Sequence, residues 1–304
     1  MNTDNLLLPA FRALSRVPRP VCEHVGHAVG RLSARVPNDS VRQLAKNHAR
    51  ILGQEPSTRH LREAVASYFT MFAQTPHLSQ MTDQEVHRAV TSSGTQPVRK
   101  GLDDGPVVVA LTHSGNWDLA GAWASRALAP VVTVAEKLTP PELYDYFVST
   151  REHLGMEILG AERGVFHSLV DRVRDRHVIV PLLADRDITG SGIEVELAGH
   201  RALVAAGPAA LARRLNCPLF AGYTSYRRDG RNRLALHVTF VPVDQSESVE
   251  ETTQRWVSAV EPLIREHLVD WHMMQPLFVE DLDPARLARA RERHALERAR
   301  DGEL

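Results

Sequence analysis

Cysteine is nearly absent. Cys22 and Cys217 are the two cysteines in 304 residues. They lie far apart and outside any zinc-site or disulfide spacing, so neither a thiolate metal centre nor a disulfide scaffold is expected, and a reducing cytoplasm is the expected compartment. Long apolar runs are also missing. Each one breaks at a proline, a glycine or a charge, short of the roughly 20 apolar residues that a membrane-spanning helix needs. Leu6, Leu7 and Leu8 sit between Asp4 and Pro9 with no small-residue cleavage site after them, so a signal peptide is not expected. Neither sign of charge is in excess: 36 basic residues meet 37 acidic ones. Such a balance offers no long-range attraction to nucleic acid, and any basic surface must be local. Internal repeats and low-complexity linkers are absent as well.

What the chain does contain changes period near residue 94. From Asn5 to about Val36, apolar positions (Phe11, Leu14, Val17, Val21, Val25, Val29, Leu32) recur at helical spacing, bordered by Arg12, Arg16, Arg19, Arg31 and Arg35. This predicts helices that either pack on the core or lie in a headgroup layer. Helical patterning continues over 38–90, interrupted at Pro56 and Pro76, and Ser92, Ser93 and Gly94 close the region. Beyond them come short apolar runs, read as buried strands, at Pro106 to Leu111, Val131 to Ala135, Val178 to Leu183, Leu219 to Tyr223 and Leu234 to Val241. Helical stretches at 141–154, 165–175 and 207–215 separate several of them. Strands alternating with helices predict an α/β fold, with a central, mostly parallel sheet covered by helices on both faces and an added N-terminal helical segment. The division is 1–92 for the N-terminal helices and 93–304 for the core, within one compact unit. Pro284 to Arg300 reads as a charged, solvated helix.

The densest chemistry lies where a strand gives way to a helix, at Leu111-Thr112-His113-Ser114-Gly115-Asn116-Trp117-Asp118. Strand C-termini are where α/β proteins place their ligands. His113 and Asp118 would stand about 140° apart on a continuous helix, so His113 belongs to the loop. Asp118 then falls in the first helical turn, where it favours the unpaired N–H groups and could approach His113. A carboxylate that fixes the imidazole tautomer makes histidine a base at neutral pH. Ala184-Asp185-Arg186-Asp187 follows a second strand and could meet His113 across adjacent strands. One carboxylate there would orient the imidazole while Arg186 holds a phosphate. A second reading makes Asp185 and Asp187 ligands for a divalent metal in a nucleotide-sugar glycosyltransferase. A third is a lipid-binding protein without turnover.

HSGNWD resembles the H-x-x-x-x-D/E signature of glycerolipid-type acyltransferases, in the form of the bacterial branch that includes lipid A and phosphatidylinositol mannoside acyltransferases. Val134 to Leu138, Tyr144 to Gly155, Ala184 to Glu196 and Asp270-Trp271-His272-Met273-Met274-Gln275-Pro276 resemble the mannoside-acylating members in the same order. The likeness covers most of 105–280 and little of the N-terminal helices. It implies that His113 deprotonates an acceptor hydroxyl, that Asp118 supports the site, and that Asp185 is the later acid paired with the histidine. At that place the mannoside-acylating members are expected to carry glutamate and the lipid A enzymes aspartate. It further implies roles for Glu136 and Arg151 in substrate binding, which Arg186, Gly115 and Asn116 join as candidates, Gly115 through a backbone N–H facing the developing oxyanion. The implied partners are acyl-CoA as a co-substrate with no bound cofactor or metal, a membrane glycolipid acceptor, and an anionic membrane surface on the cytoplasmic side. The imidazole is expected at the floor of a cavity.

Overall fold

The computed structural model describes residues 11, 13–36, 38–137, 139–188, 191–228, 233–246, 248–285, 287–288 and 291–292. Leu6 to Leu8 and most of the charged tail therefore lie outside the described residues. Among the described residues the N-terminal part holds α1 (Arg19–Ser33), α2 (Asp39–Leu52), α3 (Thr58–Leu78) and α4 (Asp83–Ala89). Their ends are fixed by short polar side chains. Asn38 accepts from Val41 N, Ser57 from His60 N, and Thr82 with Glu85 closes a capping box, each satisfying N–H groups that a helix start leaves orphaned. Pro56 lies between α2 and α3 as expected, but Pro76 does not interrupt α3. It sits in the last turn, and burial of every residue from Ala73 to Leu78 holds that turn in place.

Helix α1 approaches α3 closely because glycines face it. A Cβ on Gly26 would meet Ala73 Cβ at 2.7 Å, and one on Gly30 would meet Ala66 Cα at 2.6 Å. This contact buries Cys22 and Gly30 but leaves Val21, Val25, Val29 and Leu32 exposed, in a stripe beside the packed face, with Val36 exposed just past the helix. One helix thus has a packed face and an apolar stripe turned to the outside.

The remainder alternates as predicted: β1 (Val90–Ser93), α5 (Thr95–Asp104), β2 (Val107–Leu111), α6 (Trp117–Ala127), β3 (Val131–Ala135), α7 (Pro141–His153), β4 (Met156–Gly160), α8 (Val165–Val173), β5 (Ile179–Leu183), β6 (Ile193–Leu197), β7 (His200–Val204), α9 (Gly207–Leu215), β8 (Leu219–Arg228), β9 (Leu234–Val243) and α10 (Val249–Glu266). Seven strands form one sheet in the order β1-β9-β8-β2-β5-β3-β4. Strands β8, β2, β5, β3 and β4 run parallel, and β9 returns antiparallel to β8 with β1 beside it. Helices cover both faces. Strand β2 is buried along its whole length and its residues divide by turns: Val108 and Ala110 join one core with Trp256 and Val260, while Val107 and Val109 join the other with Leu119 and Trp123. That is the two-sided burial expected of a central parallel strand.

Helices α5 and α10 and strands β1, β4, β6 and β7 escape the sequence reading. Strand β1 is four residues of Val-Thr-Ser-Ser, too short and polar to stand out, and it crosses the boundary drawn at residue 92 to pair with β9. Edge strand β4 follows Gly155 directly and is half-buried over most of its length. The β6–β7 hairpin carries a legible alternation in Ile-Glu-Val-Glu-Leu, but its turn uses Ala198 and Gly199, both with positive φ, 56° and 81°. Alanine does not advertise a left-handed position.

Candidate active site

Parallel register builds the site. Leu111 of β2 lies opposite Leu183 of β5, so the loops that leave the two strands carry His113 and Asp185 forward side by side. Asp185 Oδ1 stands 2.6 Å from His113 Nδ1, and Oδ2 accepts from the His113 backbone N–H at 2.9 Å. An ionised carboxylate only accepts, so Nδ1 carries the proton and Nε2 is left as the basic nitrogen. The shorter aspartate therefore reaches the imidazole without a glutamate. Asp185 is buried while the His113 side chain is 24% exposed. Burial works against ionisation of Asp185, but the neighbouring imidazole and the N–H donors from His113 and Trp271 outweigh it, and its carboxyl is held below the usual carboxylate range.

Asp118 corrects the sequence reading. It does sit in the first turn of α6, but the cap is Asn116, whose side chain accepts from Leu119 N. The Asp118 carboxylate turns to Arg151 on α7, with Nε to Oδ1 at 2.7 Å and Nη2 to Oδ2 at 3.4 Å. No contact joins it to His113; instead it ties α6 to α7 behind the imidazole loop, and Arg151 spends its guanidinium there. Gly115 is corrected too. Its N–H donates to the Asp270 carbonyl at 2.9 Å, so it is not available to an oxyanion. Glycine is required here for another reason: φ is +49°, and a Cβ would lie 2.7 Å from Thr224 Oγ1. Asn116 is fully buried and donates its amide to Gln74 Oε1 at 2.8 Å, so both ends of the side chain serve the fold. Glu136 is exposed and faces Arg186, with Oε2 to Nη2 at 3.4 Å. Arg186 Nε is buried without an acceptor among the described residues.

A segment to which the sequence assigned no role completes the site. Asp270, Trp271 and His272 run alongside residues 113–115: Ser114 bridges Trp271 antiparallel, and His272 N donates to the His113 carbonyl at 2.7 Å. Trp271 Nε1 donates to Asp185 Oδ2 at 2.9 Å. The Ser67 hydroxyl donates to Asp270 Oδ1 at 2.6 Å and stands 3.0 Å from His272 Nε2. The Trp117 ring packs edge-on against both His113 and His272. A cavity of about 700 Å³ opens beyond Asp270, lined among others by Arg19, Ser67, Arg88 and Tyr226. His113 is not among its lining residues, contrary to the expectation that the imidazole forms its floor.

Two buried imidazoles near this segment make stability depend on pH. Burial pushes His48 and His272 each down to about 3 from an ordinary 6.5. Between those values the unfolded chain binds protons that the fold refuses, so stability is full above about pH 6.5 and falls as the pH drops toward 3. Melting temperature should fall steadily below about pH 6.5. A flat profile down to about pH 5 would show that these rings are not held neutral in the fold.

Residues 3–280 match the family model described as bacterial lipid A biosynthesis acyltransferase. The chain is 34% identical over 294 residues to a phosphatidylinositol mannoside acyltransferase of Mycolicibacterium smegmatis, covering 94% of this chain and 95% of that protein. It is also 34% identical over 263 residues to the proteins of that name from two strains of Mycobacterium tuberculosis, covering 83% of this chain and 81% of each. Similarity thus reaches into the N-terminal helices, further than the 105–280 stretch in which compact motifs are visible.

Proposed function

From the premise that this chain belongs to the bacterial lipid A biosynthesis acyltransferase family, we propose that it moves a long-chain acyl group, such as palmitoyl, from acyl-CoA to a mannose hydroxyl of a phosphatidylinositol mannoside. The observation that carries the mechanism is the 2.6 Å contact between His113 Nδ1 and Asp185 Oδ1. With Nδ1 so engaged, Nε2 takes the proton of the acceptor hydroxyl as its oxygen attacks the thioester carbonyl carbon. Asp185 stabilises the imidazolium that forms. The tetrahedral intermediate collapses by breaking the carbon–sulfur bond, and the imidazolium returns the proton to the departing thiolate. Ester and free thiol result, with no acyl-enzyme and no cysteine involved. Arg186 is the candidate for a phosphate of the donor, because Arg151 is committed to Asp118. The names of the relatives support the acceptor class. Family membership sets aside the glycosyltransferase reading.

A glycolipid acceptor requires access to a membrane surface. No helix among the described residues is long and apolar enough to cross a membrane. The exposed stripe of Val21, Val25, Val29, Leu32 and Val36, with Arg31 and Arg35 also exposed, suits a peripheral contact with the anionic cytoplasmic leaflet. Because Val25 and Val29 are exposed, their double replacement by aspartate should leave the fold intact. It should weaken cosedimentation with phosphatidylglycerol-containing vesicles at least about tenfold, since two valines lose their burial. Unchanged cosedimentation would assign the stripe no part in membrane contact.

A further inference from the structure

Asp185 can orient His113 only if something orients Asp185. A carboxylate at the end of a strand rotates easily about its last bond, for such torsions are broad. Here one oxygen, Oδ2, receives two donors: the His113 backbone N–H and the Trp271 indole N–H, each at 2.9 Å. Together they fix the plane of the carboxylate and point Oδ1 at the imidazole.

The indole is itself held from behind. Trp271 is fully buried. Its ring lies parallel to that of His48, with centroids 6.0 Å apart at an interplanar angle of 9°. Its carbonyl lies 3.0 Å from His48 Nε2, and a carbonyl only accepts, so that nitrogen donates. His48 Nδ1 then accepts from His60 Nε2 at 2.9 Å. Backbone bonds from Gly115 to Asp270 and from His272 to His113 pin the residues on either side. This is a continuous support running from α2 and α3 to the base.

We propose that Trp271 is a positioning residue, whose indole N–H holds the Asp185 carboxylate in the plane that serves His113 and draws off part of its charge. The kinetic consequence rests on His113 being the base of the proposed reaction; the geometric one does not. Without the indole N–H, the backbone donor keeps the carboxylate in place but its charge is less satisfied, so it favours the imidazolium more strongly. The base would then be protonated over a wider range and held less firmly. The other titratable groups facing Asp185 are His272 and Tyr223. Burial keeps both neutral near pH 7, so they do not blur the response.

The test replaces Trp271 with 3-benzothienylalanine, which keeps the bicyclic shape and puts sulfur where the N–H was, with Trp271→Phe as a second variant. Turnover with palmitoyl-CoA and a phosphatidylinositol mannoside is expected to fall about tenfold, the worth of one hydrogen bond to a charged group, with KM for the donor unchanged. The acid limb of the pH–rate profile, and the His113 titration followed by NMR, should both move to higher pH. The His113 resonance is identified by its absence in His113→Gln. Unchanged turnover and titration in the benzothienyl variant would overturn the inference, as would a loss of turnover in both variants with no movement of the titration, which marks a packing role alone. If the wild-type protein shows no transfer that depends on His113 but the titration still moves, the proposed reaction fails and the positioning role stands.

Discussion

Asp185→Asn should lower acyl transfer by on the order of 10³-fold or more, a larger loss than the small change in shape suggests. The amide oxygen must face the two N–H donors from His113 and Trp271, which now meet at Oδ2. That places the amide N–H₂ opposite His113 Nδ1. Nδ1 must then accept, and the proton moves to Nε2, the atom that should receive the acceptor's proton. The base is present but in the wrong tautomer. Turnover measured at saturating donor would register the loss, and an unchanged rate would mean that Asp185 does not direct the imidazole.

His113→Ala should cost about 10³-fold, within the usual range for a general base. The Asp185 carboxylate keeps both donors on Oδ2, and water can enter beside a side chain that was 24% exposed, so the fold survives with a melting temperature only modestly lower. Near wild-type turnover in a folded His113→Ala protein would remove the imidazole from the mechanism.

What the sequence revealed of the site follows from its local character. Apolar runs ending in polar clusters marked both strand ends, and the equal two-residue spacing of Leu111 to His113 and Leu183 to Asp185 made their meeting across a parallel pair foreseeable. Partners that come from afar were not foreseeable. Asp118 finds Arg151, 33 residues on, only because the fold brings the start of α6 within side-chain reach of the end of α7, and nothing near Asp118 distinguishes that outcome from a contact with His113. The Gly115 N–H looked free because its acceptor, the Asp270 carbonyl, arrives from the far end of the chain. Trp271 was visible within a recognisable segment, yet its role depends on where a strand-like stretch docks. The N-terminal stripe was legible as an amphipathic period, but the two glycines that decide which flank of α1 packs take their meaning from Ala66 and Ala73 across the helix pair.

The most direct test of the central claim is a paired time course with purified protein, palmitoyl-CoA and a phosphatidylinositol mannoside, following free CoA and glycolipid mass together. The account predicts that each CoA released is matched by one acyl chain gained on the glycolipid, and that both signals fall together by about 10³-fold in His113→Ala. CoA release without acylated glycolipid, or matched transfer that survives loss of the imidazole, would contradict it.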